Sequence, residues 1–154
     1  MVHVRGETVI RCAPVEVFDF VADERNEPLY NPEMTSVTQL TQGAPGVGTR
    51  YRAEMTSKSG PVTMLIEFTR YERPTLLQSH TSLSSMEIDG ALTFEPVEGG
   101  TRLRWDWELQ PRGVLRFAGP LVALLGRRRE AAIWDGLRRY LETGRAGERP
   151  SSPH

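Results

Sequence analysis

The sequence predicts an α+β domain: a seven-stranded, curved antiparallel sheet wrapped around one long C-terminal helix, with two short helices after the first strand. Three observations carry this. Apolar and polar residues alternate through the first two thirds of the 154-residue chain, the pattern of strands with one covered and one wet face. Glycine-proline turns separate these runs at short intervals, so neighbours in sequence pair in space. From Pro120 to Thr143 the period becomes helical, over a length of about 36 Å at 1.5 Å per residue. A flat sheet cannot hide a helix of that length, whereas a strongly twisted one can curl around it.

Taken in order, residues 2–11 form the first strand, which Ala13-Pro14 stops. Proline suits the first turn of a helix, where its missing N–H has no partner to lose. Val17, Phe18, Val21 and Ala22 then recur at helical spacing, and residues 27–31 make at most one more turn. Strands follow at 34–41, 49–57, 62–72, 76–83, 86–95 and 101–110. One face carries Tyr51, Ala53 and Met55, then Val62, Met64, Ile66 and Phe68, then Met86, Ile88, Leu92 and Phe94. The last strand alternates most cleanly, with Leu103, Trp105, Trp107 and Leu109 opposed to Arg102, Arg104, Asp106 and Glu108. Inner faces rich in methionine (Met34, Met55, Met64, Met86) suit either a packed centre or an adaptable hollow.

The C-terminal helix has two regimes. Ile133, Trp134, Leu137, Tyr140 and Leu141 form one apolar stripe backed by charged residues. Before Gly126, "LVALL" (121–125) is apolar all round, and "GVLRFAG" before it is nearly so. Such a segment is buried on every side, or touches a ligand, a partner or a membrane. With "GRRRE" (126–130) it resembles a peripheral membrane contact; a buried helix start followed by a solvated arginine run is the plainer reading. Residues 144–154 lack core-forming content and are expected to be a disordered tail after a domain spanning 1–143.

Bulk properties exclude several function classes. Hydrophobic residues make up 38% and charged residues 25%, ordinary for a soluble globular protein, and the net charge of −1 disfavours nucleic-acid binding through a broad basic field. A single cysteine, Cys12, cannot form an internal disulfide and fits a reducing compartment. No signal peptide or spanning helix is evident, so a cytoplasmic location is expected. His3, His80 and His154 are scattered, so no metal site and no cofactor are expected. No serine sits in a nucleophile elbow, and the glycines around 43–48 read as a plain turn. His80 either projects inward as an acid or base, or is a hydrogen-bonded strand residue. Trp105 and Trp107 share a face and either stack on a ligand or fill the core. Asp19, Asp23, Glu24 and Glu27 read as a wetted helix face.

Four stretches carry a family resemblance: "APVEVFDFVADERNEPLYNP", "GAPGVGTRYR", "FTRYERP" and "FEPVEGGTRLRW", followed by the helix "RGVLRFAGPLVALLGRRREAAIWDGLRRYLE". In this order they resemble the helix-grip fold of the START/Bet v 1-like (SRPBCC) superfamily, and within it the polyketide cyclase/dehydrase and lipid-transport family. The likeness spans roughly residues 5–143. It implies a deep apolar cavity between sheet and helix that binds or transports a hydrophobic small molecule or lipid; the alternative is an aromatase/cyclase acting on a polyketide chain. Tyr30, held between Pro28 and Pro32, is expected at the cavity rim, where it and His80 are the catalytic candidates. The lining expected from the sheet comprises Tyr51, Met55, Met64, Ile66 and Phe68, then His80, Met86, Leu92, Trp105 and Trp107. From the C-terminal segment it comprises Phe117, Leu121, Leu125, Ile133 and Leu137. The expected state is a monomer or homodimer. A third reading makes residues 114–126 a docking module for a partner or membrane.

Overall fold

The structure, a computed structural model, describes residues 2–144. The tail expected from 144 onward and His154 thus lie essentially outside the described residues. Strand β1 (Val2–Ile10) leads into helix α1 (Pro14–Val21) and a 3-10 helix, Glu24–Leu29. Six strands follow: β2 (Met34–Gln39), β3 (Arg50–Met55), β4 (Val62–Glu72), β5 (Leu76–Leu83), β6 (Met86–Val97) and β7 (Gly100–Pro111). A second 3-10 helix, Gly113–Phe117, precedes helix α2 (Gly119–Arg139), which ends in a π-helical turn at Tyr140–Gly144.

One antiparallel sheet holds all seven strands in the order β1-β7-β6-β5-β4-β3-β2. Five hairpin links join β2 through β7, and β1 closes the opposite edge against β7 with Val2 facing Leu109 and Ile10 facing Thr101. The predicted faces hold. Tyr51, Ala53 and Met55 are buried on β3, as are Ile66 and Phe68 on β4 and Leu103, Trp105 and Leu109 on β7. Arg5, Glu7, Glu95, Arg102, Arg104 and Asp106 form ion pairs on the outer face. Being exposed, these pairs contribute little stability each.

Two glycines let the tryptophans lie flat on the sheet. A Cβ on Gly6 would stand 2.4 Å from Cζ2 of Trp105, and one on Gly90 would stand 2.4 Å from Cε3 of Trp107. Trp105 therefore lies over β1 and Trp107 over β6. Helix α1 buries Val17, Phe18 and Val21, and Phe18 meets Tyr71 and Phe94 edge-on at 5.1 Å each. Asp19 of α1 is held by Arg73 at 2.7 Å, and the amide of Arg11 donates to Glu142 at 2.8 Å. These contacts fasten α1 to the β4–β5 turn and the C-terminal turn to the end of β1.

Helix α2 does not lie evenly on the sheet. Its second half buries Ile133, Trp134 and Leu137, whereas its first half buries only Val122. Gly126 approaches Val4, where an added Cβ would be 2.9 Å from a methyl. Gly136 approaches the first 3-10 helix, where a Cβ would be 2.6 Å from the Tyr30 carbonyl oxygen. The plainer reading of a buried helix start is thereby corrected: Leu121, Leu124 and Leu125 are exposed, although Val122 between them is buried.

Candidate functional site

The interior divides into two apolar clusters. The larger lies beneath α1 and the second half of α2 and includes Phe18, Tyr51, Phe68, Leu92, Trp105, Trp134 and Leu137. The smaller joins Val2, Val4 and Leu109 to Val122. Trp107 packs against both. Between them the inner face of the sheet is incompletely covered. Met64, Thr81, Leu83, Met86, Ile88 and Trp107 all keep part of their surface accessible. The register makes them neighbours, since Ile66 pairs with Thr81, Thr81 with Ile88, and Leu83 with Met86. This apolar seam exists because α2 leans mainly on β1 in its first half, so that Met86 and Ile88 of β6 pack against the Val122 cluster while staying only partly covered.

Beside the seam sits a group of acids that sequence reading left on the surface. Glu130 lies on the inward stripe of α2, one helical turn before Ile133 and Trp134. Burial pushes its carboxyl up to about 7, and the charge of Glu27 adds to the rise. The indole N–H groups of Trp107 and Trp134 approach the carboxyl and oppose the rise, although neither reaches the geometry of a full hydrogen bond. Glu24 is raised well above the ordinary carboxylate range by burial first, then by Glu27 and Asp23. Glu27 accepts a hydrogen bond from Nδ2 of the buried Asn31 at 2.9 Å. Glu24, Glu27 and Tyr30 are spaced by three, the repeat of a 3-10 helix, so they share one side.

Tyr30 departs from its expected place at a rim. It is buried (6% exposed), its ring between Phe20 at 6.0 Å and Trp134 at 6.1 Å. Its hydroxyl is raised well above the usual phenol range by burial, and Glu27, Glu24 and Glu130 add to the rise. The elbow between Pro28 and Pro32 therefore inserts an aromatic ring under α2, while Pro28, Tyr30 and Pro32 also border an open hollow beside Gly136. Glycine at 136 makes room for that insertion. Burial likewise raises the Tyr51 hydroxyl, which has no hydrogen-bond partner among the described residues, although the Glu24 backbone lies close enough to oppose the rise.

His80 is also corrected. It pairs with Asp89 across β5 and β6, on the face opposite Leu77 and Leu92. Its Nδ1 meets Asp89 at 2.7 Å and its Nε2 meets Glu87 at 2.9 Å. The hydrogen bond to Asp89, aided by the one to Glu87, raises its pKa above the usual histidine value. His80 is thus the hydrogen-bonded strand residue, outside the barrel of side chains that α2 covers. A shallow trough of about 380 Å³ on that outer face is lined by polar groups including His3, Arg5, Asp89 and Glu108. A second hollow of about 450 Å³ lies between the first 3-10 helix and α2, beside Leu29, Arg139 and Tyr140. Neither coincides with the apolar seam.

Of the remaining expected lining residues, Tyr51, Ile66, Phe68, Leu92, Trp105, Ile133 and Leu137 are packed into the larger cluster, and Met55 is buried at its edge. Trp105 stacks on Trp134 at 6.0 Å, so protein fills its face. Met64, Met86 and Trp107 remain at the seam. Phe117, Leu121 and Leu125 are exposed and belong to neither apolar cluster. Among the described residues, no group of three His, Cys, Asp or Glu is arranged to hold a metal ion, and no helix is long and apolar enough to cross a membrane.

Comparison with known proteins agrees with this architecture. The chain matches a START superfamily protein from Mycobacterium smegmatis at a TM-score of 0.79 and 14% identity, covering 91% of this chain and 97% of that one. TTHA0849 from Thermus thermophilus aligns at 0.76 and 20% identity, over 89% and 94% of the two chains. The Zhui aromatase/cyclase from Streptomyces sp. R1128 aligns at 0.76 and 12% identity, over 92% and 96%. At these identities the likeness is one of fold. No curated protein matches the chain. The family model for polyketide cyclase/dehydrase and lipid transport, however, matches residues 1–142. A match running from the first strand through the C-terminal helix places this chain in the polyketide cyclase/dehydrase and lipid-transport family.

Proposed function

We propose that the protein binds an apolar small molecule or lipid along the seam between β4–β6 and the first half of α2. The observation that carries this is the run of half-buried apolar side chains, Met64, Leu83, Met86, Ile88 and Trp107, which the two apolar clusters leave partly accessible on the inner sheet face. Apolar surface left open inside a fold gains about 25 cal/mol per Å² when a ligand covers it. Flexible thioethers at two positions adapt to ligands of different shape. Family membership supports the same reading. Uptake of N-phenyl-1-naphthylamine, a neutral dye that fluoresces on leaving water, tests it. Wild type is expected to enhance the dye, whereas Thr81→Trp and Ile88→Trp, which fill the seam, are expected to abolish the signal while keeping the far-UV spectrum. A folded wild type that takes up no dye, and yields no molecule when extracted from its own host for mass spectrometry, would sink the proposal.

A second reading, cyclisation or dehydration of a polyketide-like substrate, has one specific observation in its favour. Glu130, with a pKa of about 7 beside the seam, is poised to donate or accept a proton at neutral pH. The Zhui aromatase/cyclase shares the fold, which supports the reading by analogy alone. In this reading Tyr30 serves Glu130 from within the packed interior, and His80 has no part. Unchanged turnover of a poly-β-keto substrate by Glu130→Gln would remove this assignment.

A further inference from the structure

We propose that residues 112–129 form a lip that docks the protein on an anionic lipid surface. Unlike the ligand reading, this concerns the outside of the molecule and stands even if the seam is empty. Val114 is 84% exposed, Phe117 78%, Leu121 56% and Leu125 54%, with Leu124 beside them. They belong to the second 3-10 helix and the first half of α2, where Val122 alone is buried. Packing within the fold does not account for them. Five large apolar side chains exposed within the one stretch 114–125 are the mark of an interaction site.

The charge around the patch selects the partner. Residues 112–129 contain Arg112, Arg116, Arg127, Arg128 and Arg129 and no acidic residue. Arg112 is engaged by Glu87 and Arg129 by Glu33. Among the described residues, no ion pair holds Arg116, Arg127 or Arg128, and Arg116 lies over the Phe117 ring at 4.8 Å. The whole chain carries −1, so the remainder carries −6 against +5 on the lip. An anionic surface attracts the lip and repels the rest, which orients the molecule on approach. Apolar side chains then enter the acyl boundary while the arginines stay at the headgroups. A second copy of the chain is a poor occupant, because the same positive lip would face itself.

Flotation with vesicles tests the assignment. Wild type is expected to float with phosphatidylcholine vesicles containing phosphatidylglycerol, and not with phosphatidylcholine alone. Added salt should release it. The Arg127→Gln/Arg128→Gln variant should bind about 25-fold more weakly, at roughly fivefold for each arginine near an anionic surface. Phe117→Ser/Leu121→Ser should lose flotation with an unchanged far-UV spectrum, since both side chains are already in water. The proposal falls if wild type floats with neither vesicle, or with both equally. It falls equally if sedimentation reveals a dimer that Phe117→Ser/Leu121→Ser dissolves, which would assign the patch to a second copy.

Discussion

Replacing Gly136 with alanine puts two effects of opposite sign in competition. In an open helix interior, Gly→Ala stabilises by about 1 kcal/mol, because alanine loses less backbone freedom. Here the new Cβ would sit 2.6 Å from the carbonyl oxygen of Tyr30. That carbonyl cannot easily retreat. The Tyr30 amide donates to Glu27 at 3.0 Å, the Asn31 amide donates to the same acceptor at 2.8 Å, and the Tyr30 ring is wedged between Phe20 and Trp134. Overpacking of a closed site costs about 1–3 kcal/mol, and an immobile backbone neighbour points to the upper end. Gly136→Ala is therefore expected to lose about 2 kcal/mol net, a fall in Tm of about 4–8 °C for a chain of this size. Gly126→Ala is the internal control. Its Cβ would meet a Val4 side-chain methyl at 2.9 Å, so a smaller shift offsets the same helix gain. That variant should stay within about 1 kcal/mol of wild type. Thermal and urea unfolding of the three proteins reads out the difference. A Gly136→Ala protein as stable as wild type, or more so, would refute the close approach of α2 to the first 3-10 helix.

Two further predictions concern pH. Glu130 titrates at about 7 in the fold against 4.5 as its ordinary value, so the folded state binds the extra proton. Stability should fall as pH rises from about 4.5 to 7 and level off above, by a total on the order of 3 kcal/mol. Glu130→Gln should flatten this slope and unfold at higher urea than wild type at pH 8; parallel pH profiles would rule out a buried carboxyl. His80 is raised by Asp89 and Glu87, so its contribution is present below its ordinary pKa and lost as pH climbs through the folded value. Solvent screening keeps that contribution well under 1 kcal/mol. An NMR titration should place the imidazole above 6.5, with Asp89→Asn lowering it, and His80→Asn should leave dye uptake intact.

The frame of this protein was readable because period-two alternation survives in β3, β4 and β7, where one face meets the core and the other meets water. The stripe Ile133, Trp134, Leu137 and Leu141 likewise announced the packed half of α2. The acids were missed for a physical reason. A glutamate usually marks a solvated position, and that expectation overrode the geometry. Glu130 falls on the same inward stripe as Trp134, and Glu24, Glu27 and Tyr30 repeat at the 3-10 spacing; the spacings alone would have placed them together. Tyr30 was set at a rim because flanking prolines suggest an exposed elbow, whereas the space that admits the ring is made by a glycine over 100 residues away. His80 could not be assigned a face because β5 carries few large apolar residues to fix its phase. Leu121 and Leu125 lie in a segment apolar all round, for which a buried helix start or a cavity lining is the plainer expectation; pattern alone does not show that both stay open to solvent.

The strand order has a kinetic consequence. Strands β2 to β7 are joined by successive hairpins, each closing a short loop, so this meander assembles from local contacts. Strand β1 pairs with β7 at the far end of the chain, Val2 against Leu109. Closing a loop of that size costs about 4 kcal/mol of chain entropy, against about 1.5 kcal/mol for a five-residue turn. Helix α2 then rests chiefly on β1, with its first half held through Val4 and Val122. Strand β1 and helix α2 thus depend on each other, and together they close the sheet's inner face. Until they do, the meander's apolar face stands open to solvent, so the nascent chain carries its greatest aggregation risk in the interval before its final helix arrives.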